Sequence, residues 1–368
     1  MISLYELNNN NKLTNYSCSN DDMNSVLLIT QTRSNKSPNQ FFEIIKNLRI
    51  NNYEFKRYYL SNGSKINMIS QIFLPLFKFK LNKFIKKNNF NIFFSTGLIS
   101  DILVLLYLNS GKKVCFIRGH LPTVYKYKYP YFNFGYKLGL FHYFIASKFD
   151  KVIVMTKSMK EEFEQFTEKN STIIYNYAEP IIYDIKKINQ INIIKKNNEF
   201  INFGIVGNLI TAKGIEDAIK AFSNFSKEYK KVRLCIYGDG NMKKIYEKLA
   251  KSLISENQYK FYGYVNNKVE IYKNISVLIH PSFSEGTSRA VLEALSMHVI
   301  VIHRSIKGSN ELIKNGFNGY LFDDYKGLNI CLKNSFNKIK KFEINENKDI
   351  EYFLPYKYRL KYFKKKLS

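Results

Sequence analysis

The sequence predicts an α/β protein made of two successive doubly wound parallel units. Short β-branched and aromatic runs alternate with amphipathic stretches of helical length along most of the chain. The alternation breaks once, over the polar, lysine-rich residues 184–199, and then restarts. With 368 residues, 45% of them hydrophobic and 16% aromatic, there is material for two or three domains of roughly 150 residues each.

Residues 1–24 are polar and rich in Asn, and read as a tail without the apolar run of a secretion signal. A first domain over 25–183 opens on the buried strand Ser25–Thr30, followed by a loop, Gln31–Asn39, and a helical segment, Gln40–Leu48. Strand Ile92–Ser95 leads into helix Ser100–Asn109, and strand Lys113–Ile117 leads into a long irregular stretch. Strand Lys151–Met155 is followed by a helix to Phe166, and Ser171–Tyr175 closes the unit. Residues 184–199 form the linker. The second domain, 200–345, runs through strand Ile201–Val206, helix Ile215–Tyr229, strand Val232–Tyr237 and helix Met242–Leu253. Strands Tyr259–Tyr264 and Val277–His280, a helix through Ala290–Met297, and strands Val299–Ile302 and Gly319–Phe322 complete it. Runs this apolar suit strands covered on both faces, as a parallel sheet requires. Residues 346–368 are expected to form a basic C-terminal helix that crosses back to the first domain.

Charge narrows the partners. Lys and Arg number 57 against 30 Asp and Glu, a net +27, which favours nucleic acid, phosphorylated ligands or an acidic membrane face. Part of that lysine reflects a general bias toward Asn, Ile and Lys. No nucleic-acid-binding module is present, and nucleic acid is not an expected partner. The four cysteines, Cys18, Cys115, Cys235 and Cys331, are scattered without metal-ligand spacing, so neither a disulfide framework nor a zinc site is expected and a reducing cytosol fits. The most continuous apolar stretch, Leu98–Leu108, is 11 residues long and interrupted by Ser100 and Asp101, short of the roughly 20 needed to span a bilayer.

Chemistry concentrates in the second domain. Gly204-Ile-Val-Gly-Asn-Leu-Ile-Thr-Ala-Lys-Gly214 sets a glycine turn after a strand and Lys213 just before a helix. Backbone amides at a helix start beside an ammonium suit a diphosphate, although a plain βα turn uses the same residues. Tyr237-Gly-Asp-Gly240 and Phe261-Tyr-Gly-Tyr-Val265, the latter containing Tyr264, follow the next two strands. Small residues thus recur at three successive strand ends, where ligands bind in doubly wound sheets. In His280-Pro-Ser-Phe-Ser-Glu-Gly-Thr-Ser-Arg-Ala-Val-Leu-Glu-Ala-Leu295, Glu285 and Glu293 stand eight residues apart. Glu293 is the sole polar side chain within Ala290–Leu295, and a carboxylate among apolar neighbours requires a paired role, which a ligand's hydroxyls would supply. The amides of Gly286, Thr287 and Ser288 at the helix start favour phosphate oxygens. As ordinary helix residues, Glu285 would be a first-turn acid and Glu293 a solvated one.

This ordered set resembles the retaining glycosyltransferase family 4, whose members carry an E-x7-E signature on a GT-B fold of two Rossmann-like domains facing across a cleft. Pro281-Ser-x-x-Glu-Gly with Val291-Leu-Glu-Ala-Leu295 carries the signature, and Gly207-Asn-Leu-x-x-x-Lys-Gly214 is similar to the family's G-R-L-x-x-x-K-G. Gly238-Asp-Gly240, Phe261-x-Gly-x-Val265 and Gly308-x-x-Glu-Leu-Ile-x-x-Gly-x-Asn-Gly319 follow in family order. The resemblance implies that Glu285 contacts the transferring sugar, Glu293 the nucleotide ribose, and that Lys213 neutralises the leaving diphosphate, with Gly207, Asn208, Gly238, Tyr264, Gly286, Thr287, Ser288 and Arg289 around the donor. It implies a nucleotide sugar as substrate, a UDP sugar foremost, with no cofactor. No metal is expected, and no Asp-x-Asp pair is present to hold one. Asn208 departs from the family arginine and removes a bidentate phosphate clamp, for which Arg289 could substitute. The loop Gln31–Asn39 lacks the paired glycines of relatives. In the first domain, His120 of Arg118-Gly-His120 stands where relatives place a donor-facing residue and joins Glu285 as a catalytic candidate, whereas His142, His280, His298 and His303 read as structural.

Leu74, Phe77, Leu81, Phe84 and Ile85 recur at helical spacing among Lys78, Lys80, Lys83, Lys86 and Lys87. Such a basic amphipathic helix either packs on the sheet or, with the aromatic-basic run Tyr125–Tyr136 and the cations of 356–366, docks on an anionic membrane. The expected function is transfer of a sugar to a lipid-linked or growing surface glycan of capsule or O-antigen type, in the cytoplasm or at the inner membrane face. Alternatives are a sugar-nucleotide epimerase of like fold, or an inactive binding member of a polysaccharide assembly.

Overall fold

Val26–Ile29, Ile92–Phe94 and Val152–Val154 are buried along their whole length, because a parallel strand with helices on both faces has no solvent side. The computed structural model describes residues 24–32, 53–61, 85, 90–129, 131, 133–175, 190, 195 and 198–344. The chain divides into two compact units, Met1–Lys126 with Tyr131–Tyr175, and the remainder.

The first unit holds strands β1 (Asn24–Thr32), β2 (Tyr53–Ser61), β3 (Ile92–Thr96), β4 (Lys112–Phe116), β5 (Lys151–Val154) and β6 (Thr172–Ile173). They form one parallel sheet in the order β2-β1-β3-β4-β5-β6. Helices α1 (Leu98–Tyr107), α2 (Leu121–Lys128), α3 (Phe134–Ser147) and α4 (Lys157–Thr167) accompany it. Thr156 caps α4 by accepting from the Met159 amide at 3.1 Å, which satisfies an amide the helix itself cannot pair.

The second unit holds β7 (Ile201–Val206), β8 (Val232–Tyr237), β9 (Tyr259–Gly263), β10 (Val277–His280), β11 (Ile300–Arg304) and β12 (Gly319–Phe322), parallel and ordered β12-β11-β10-β7-β8-β9. Helices α5 (Ile215–Glu228), α6 (Lys243–Leu253), α7 (Lys268–Asn274), α8 (Arg289–Ser296) and α9 (Tyr325–Ile344) complete it. Phe203, Phe222, Phe225 and Leu234 centre one buried cluster, and Tyr272, Leu278, Val291 and Met297 another. This strand sequence is that of nucleotide-binding sheets, and its order reverses between β7 and β10, where such sheets open a crevice for ligands.

The structure corrects one sequence expectation and adds elements that the sequence reading did not include. The long irregular stretch expected after Ile117 is instead α2 and α3. A Cβ on Gly139 would stand 2.4 Å from the Pro122 Cα, so glycine is required where the two helices meet. After Phe322 the chain forms the twenty-residue helix α9, which buries Leu328 and Leu332. Strand β2 and helix α7 were not anticipated either. The tail 1–24 apart from Asn24, most of the 31–39 loop, the linker apart from residues 190, 195, 198 and 199, and the basic segment 346–368 lie outside the described residues. So does the basic helix around Leu74–Lys87, except Ile85, which is helical and packs on the first core. Among the described residues, no helix is long and apolar enough to cross a membrane.

Candidate active site

Three loops leave the carboxyl ends of β7, β8 and β9 and are laced together through their backbones. The Gly207 amide donates to Tyr237 O at 3.0 Å, Leu209 N to Asp239 O at 2.9 Å, and Gly238 N to Gly263 O at 2.7 Å. Gly238 has φ +137°, and a Cβ there would lie 1.8 Å from the Gly207 carbonyl. That position is closed to every other residue type. Gly207 itself faces open space. Asn208, beside it, is exposed, as is Tyr264 after β9.

The loop after β10 is fastened to the loop after β7, across the reversal of strand order. Phe283 N donates to Ala212 O at 3.1 Å, and the Ser282 hydroxyl reaches the same carbonyl at 3.4 Å. Gly214, at φ +62°, would push a Cβ to 2.3 Å from Pro281 O. This register sets the Lys213 ammonium directly on Glu285 Oε1, and His280 Nε2 lies 3.2 Å from the same oxygen. Burial alone would raise the Glu285 pKa, but His280 and the Lys213 charge outweigh it and hold the carboxyl well below the usual carboxylate range. Glu285 is therefore held as a carboxylate between Lys213 and His280, at the sheet edge where the strand order reverses.

Arg304, at the end of β11, braces this loop. Its Nε donates to Pro281 O at 2.9 Å, its Nη2 to Asp217 Oδ2 at 2.5 Å, and its guanidinium lies 4.4 Å from the centre of the Phe283 ring. His303 stands beside His280 with ring centres 4.8 Å apart and donates from Nδ1 to Arg304 O at 2.6 Å. Burial and the neighbouring His280 push its pKa down to about 3, so His303 stays neutral.

Gly286, Thr287 and Ser288 lead into α8, with Ser288 at its N-cap and Arg289 its first residue. Glu293 sits inside α8 at 7% exposure. Its Oε2 accepts from Tyr272 OH and from Lys268 Nζ, both at 2.9 Å. Burial, then the charge of Glu293, raises the Tyr272 phenol well above its ordinary pKa. The pairing that an acid in an apolar run demands thus comes from α7, and Glu293 is engaged there rather than with the Lys213–Glu285 pair.

His120 belongs to the first unit, beyond the end of β4, and is buried. Its Nδ1 lies 2.9 Å from Glu162 Oε2 and its Nε2 3.3 Å from Ser158 Oγ. Tyr143 donates to the other oxygen of Glu162 at 3.2 Å. His142 likewise pairs with the fully buried Asp101, at 2.6 Å.

The structure brings two of the sequence candidates, Lys213 and Glu285, together and surrounds them with residues the sequence reading did not single out. His280 had read as structural, and Arg304, Lys268 and Tyr272 carried no motif at all. Strand ends marked by histidine and arginine beside a motif loop were the available signal for His280 and Arg304, whereas Lys268 and Tyr272 become visible only once α7 is packed on α8.

The fold is that of the GT-B glycosyltransferases. Anabaena HepE, solved with UDP-glucose, superposes with a TM-score of 0.66 at 16% identity, over 86% of this chain and 91% of HepE. The family model described as glycosyl transferases group 1 matches residues 185–349, the second unit. An uncharacterized glycosyltransferase of Methanocaldococcus jannaschii is 30% identical over 199 residues, which is 49% of this chain and 47% of that protein. CapM of Staphylococcus aureus, a capsular polysaccharide biosynthesis glycosyltransferase, is 24% identical over 135 residues, 36% of this chain and 35% of CapM. The chain spans between 32% and 60% of the length of the curated relatives it matches.

Proposed function

We propose that this protein is a retaining glycosyltransferase that moves a sugar from a nucleoside diphosphate donor, a UDP sugar foremost, to a lipid-linked or growing surface glycan of capsule type. The observation that carries this reading is the pairing of Lys213 with Glu285 across the β7–β10 strand-order reversal. In this reading the donor's diphosphate lies over the Gly207 loop and the start of α8. Lys213 and the amides of Gly286–Ser288 meet the negative charge that grows as the diphosphate departs, which is where fixed positive groups lower a barrier most. Cations and amides, rather than a metal ion, supply that charge.

Glu285, kept ionised by His280 and Lys213, accepts hydrogen bonds from sugar hydroxyls and faces the positive charge that develops at the anomeric carbon. Glu293 holds the ribose with the oxygen not used by Tyr272 and Lys268. The match to the group 1 glycosyltransferase model over residues 185–349 supports a transferase reading of this unit, as do the capsular polysaccharide role of CapM and the UDP-glucose bound to HepE. His120, buried and bonded to Glu162 and Ser158, is the first unit's own catalytic candidate.

Glu285→Ala tests the assignment: transfer from the productive donor is expected to fall about a hundredfold or more, with an unchanged circular dichroism spectrum. Unchanged turnover refutes it. The donor itself is found by thermal shift against UDP, GDP, ADP and dTDP sugars, and isomerisation of a donor without acceptor would identify an epimerase instead.

A further inference from the structure

We propose that the outward face of α3 docks on an anionic lipid membrane surface. Phe134, Lys137, Phe141, Phe144 and Lys148 follow one another at spacings of three and four residues, so they line one stripe along the helix and its C-cap. The stripe is open to solvent: Phe134 is 57% exposed, Phe141 47% and Phe144 51%, and Tyr131 just before the helix is 74% exposed. The opposite side, Gly135, Gly139, His142, Tyr143 and Ala146, is already buried in the first unit. A helix apolar on both sides needs a second apolar surrounding, and three phenyl rings in water leave that demand unmet.

Charge selects the occupant. Between Asp101 and Asp150 there is no acidic residue, while seven Lys and Arg stand there. Lys137 and Lys148 sit on the stripe itself, and the Lys148 ammonium lies 4.6 Å from the centre of the Phe144 ring, so its cation is carried at the level of the aromatic side chains. Of the three acids of α4, Glu162 accepts from Tyr143 on the buried side and Glu164 pairs with Lys160 and the Ser171 amide, so Glu161 is the one exposed carboxylate of that helix. A second copy of this stripe would bring like charges together, and the chain's own residues 356–366 carry six cations of the same sign. Aromatic side chains that enter the headgroup zone, flanked by lysines that meet anionic lipid, fit a membrane surface. For the proposed transferase, such docking would bring the chain to a lipid-linked acceptor.

The chain contains no tryptophan, so Phe141→Trp places a single reporter on the stripe of the full-length protein. Phosphatidylglycerol vesicles are expected to shift its emission to the blue, brominated acyl chains to quench it, and high salt to weaken the effect, whereas phosphatidylcholine vesicles give at least about tenfold weaker binding. The double substitution Phe141→Glu with Phe144→Glu is expected to abolish co-sedimentation with phosphatidylglycerol vesicles while the thermal transition is kept. No blue shift with either vesicle overturns the proposal. Co-sedimentation that the double variant leaves unchanged also overturns it, since another surface then binds, as does a self-association that the variant abolishes in the absence of vesicle binding. None of these readouts uses sugar transfer, so failure here leaves the transferase reading intact, and failure of transfer leaves this one intact.

Discussion

Glu285 owes its charge to two neighbours that arrive from different strands, His280 from β10 and Lys213 from the loop after β7. Glu285→Gln keeps the shape and removes the charge. If the carboxylate acts on the sugar in the transition state, kcat should fall with little change in KM, since an interaction made only there is lost. Lys213→Met should lower kcat/KM by about a hundredfold, because the diphosphate loses its cation while Glu285 becomes harder to ionise. His280→Asn, which leaves Glu285 with Lys213, should cost less than either, and a kcat profile at acid pH would reveal whether its loss moves the carboxylate's titration upward. Gly238→Ala is a different kind of change: with 1.8 Å to the Gly207 carbonyl and a positive φ, it should destabilise by about 2 kcal/mol or more, read as a lower thermal midpoint. At this scale the sequence made Lys213 and Glu285 legible, because a lysine before a helix and an acid in a glycine-containing loop between a strand and a helix are local patterns. It could not show that Gly238 serves backbone approach, or that His280 touches Glu285, because both depend on which strands become neighbours.

The twelve described strands and the helices of the second unit mostly follow local pattern, and the exceptions have physical causes. Helix α3 was hidden because its glycines and aromatic residues are poor helix formers, and tertiary contact overrides propensity there: Gly139 lets the helix lie against the Leu121–Pro122 backbone. The same geometry predicts opposite outcomes on the two sides of one helix. Gly139→Leu has no room and should lower the thermal midpoint of the first unit strongly, whereas Phe141→Ser on the open face should change stability by no more than about 0.5 kcal/mol. Urea titrations of the two variants distinguish them, and a large loss from Phe141→Ser would mean that the stripe is covered within the molecule. Helix α7 was missed because seven residues with Asn267 as N-cap give little periodicity, yet it supplies both partners of Glu293.

Over the whole chain, the break in βα alternation was enough to show two sheets, but the order of their strands was not legible, since crossovers of similar length can lead to either side of a sheet. That order decides the chemistry, because it makes β7 and β10 adjacent and so joins the two motif loops. Two histidines of the second unit are also held neutral. His303 is held down at about 3 by burial and His280, and His298 at about 4 by burial and Lys195. Both stay neutral in the folded state while the unfolded chain takes up protons below the ordinary histidine value of about 6.5. In that window the unfolded state binds more protons, so stability falls as pH falls, by at most about 1.4 kcal/mol per pH unit for each group, until the folded-state values are reached. Glu285 acts in the same direction at lower pH: its carboxyl lies below the unfolded value, so the stabilisation is complete above about 4.3 and is lost as pH drops through the folded value. Thermal midpoints followed by circular dichroism from pH 7 to pH 4 should therefore decline, and His303→Asn, which retains a donor for Arg304 O, should flatten the decline. A midpoint as steep in that variant as in the parent would mean that His303 is protonated in the fold, and the neutral ring placed beside His280 would have to be abandoned.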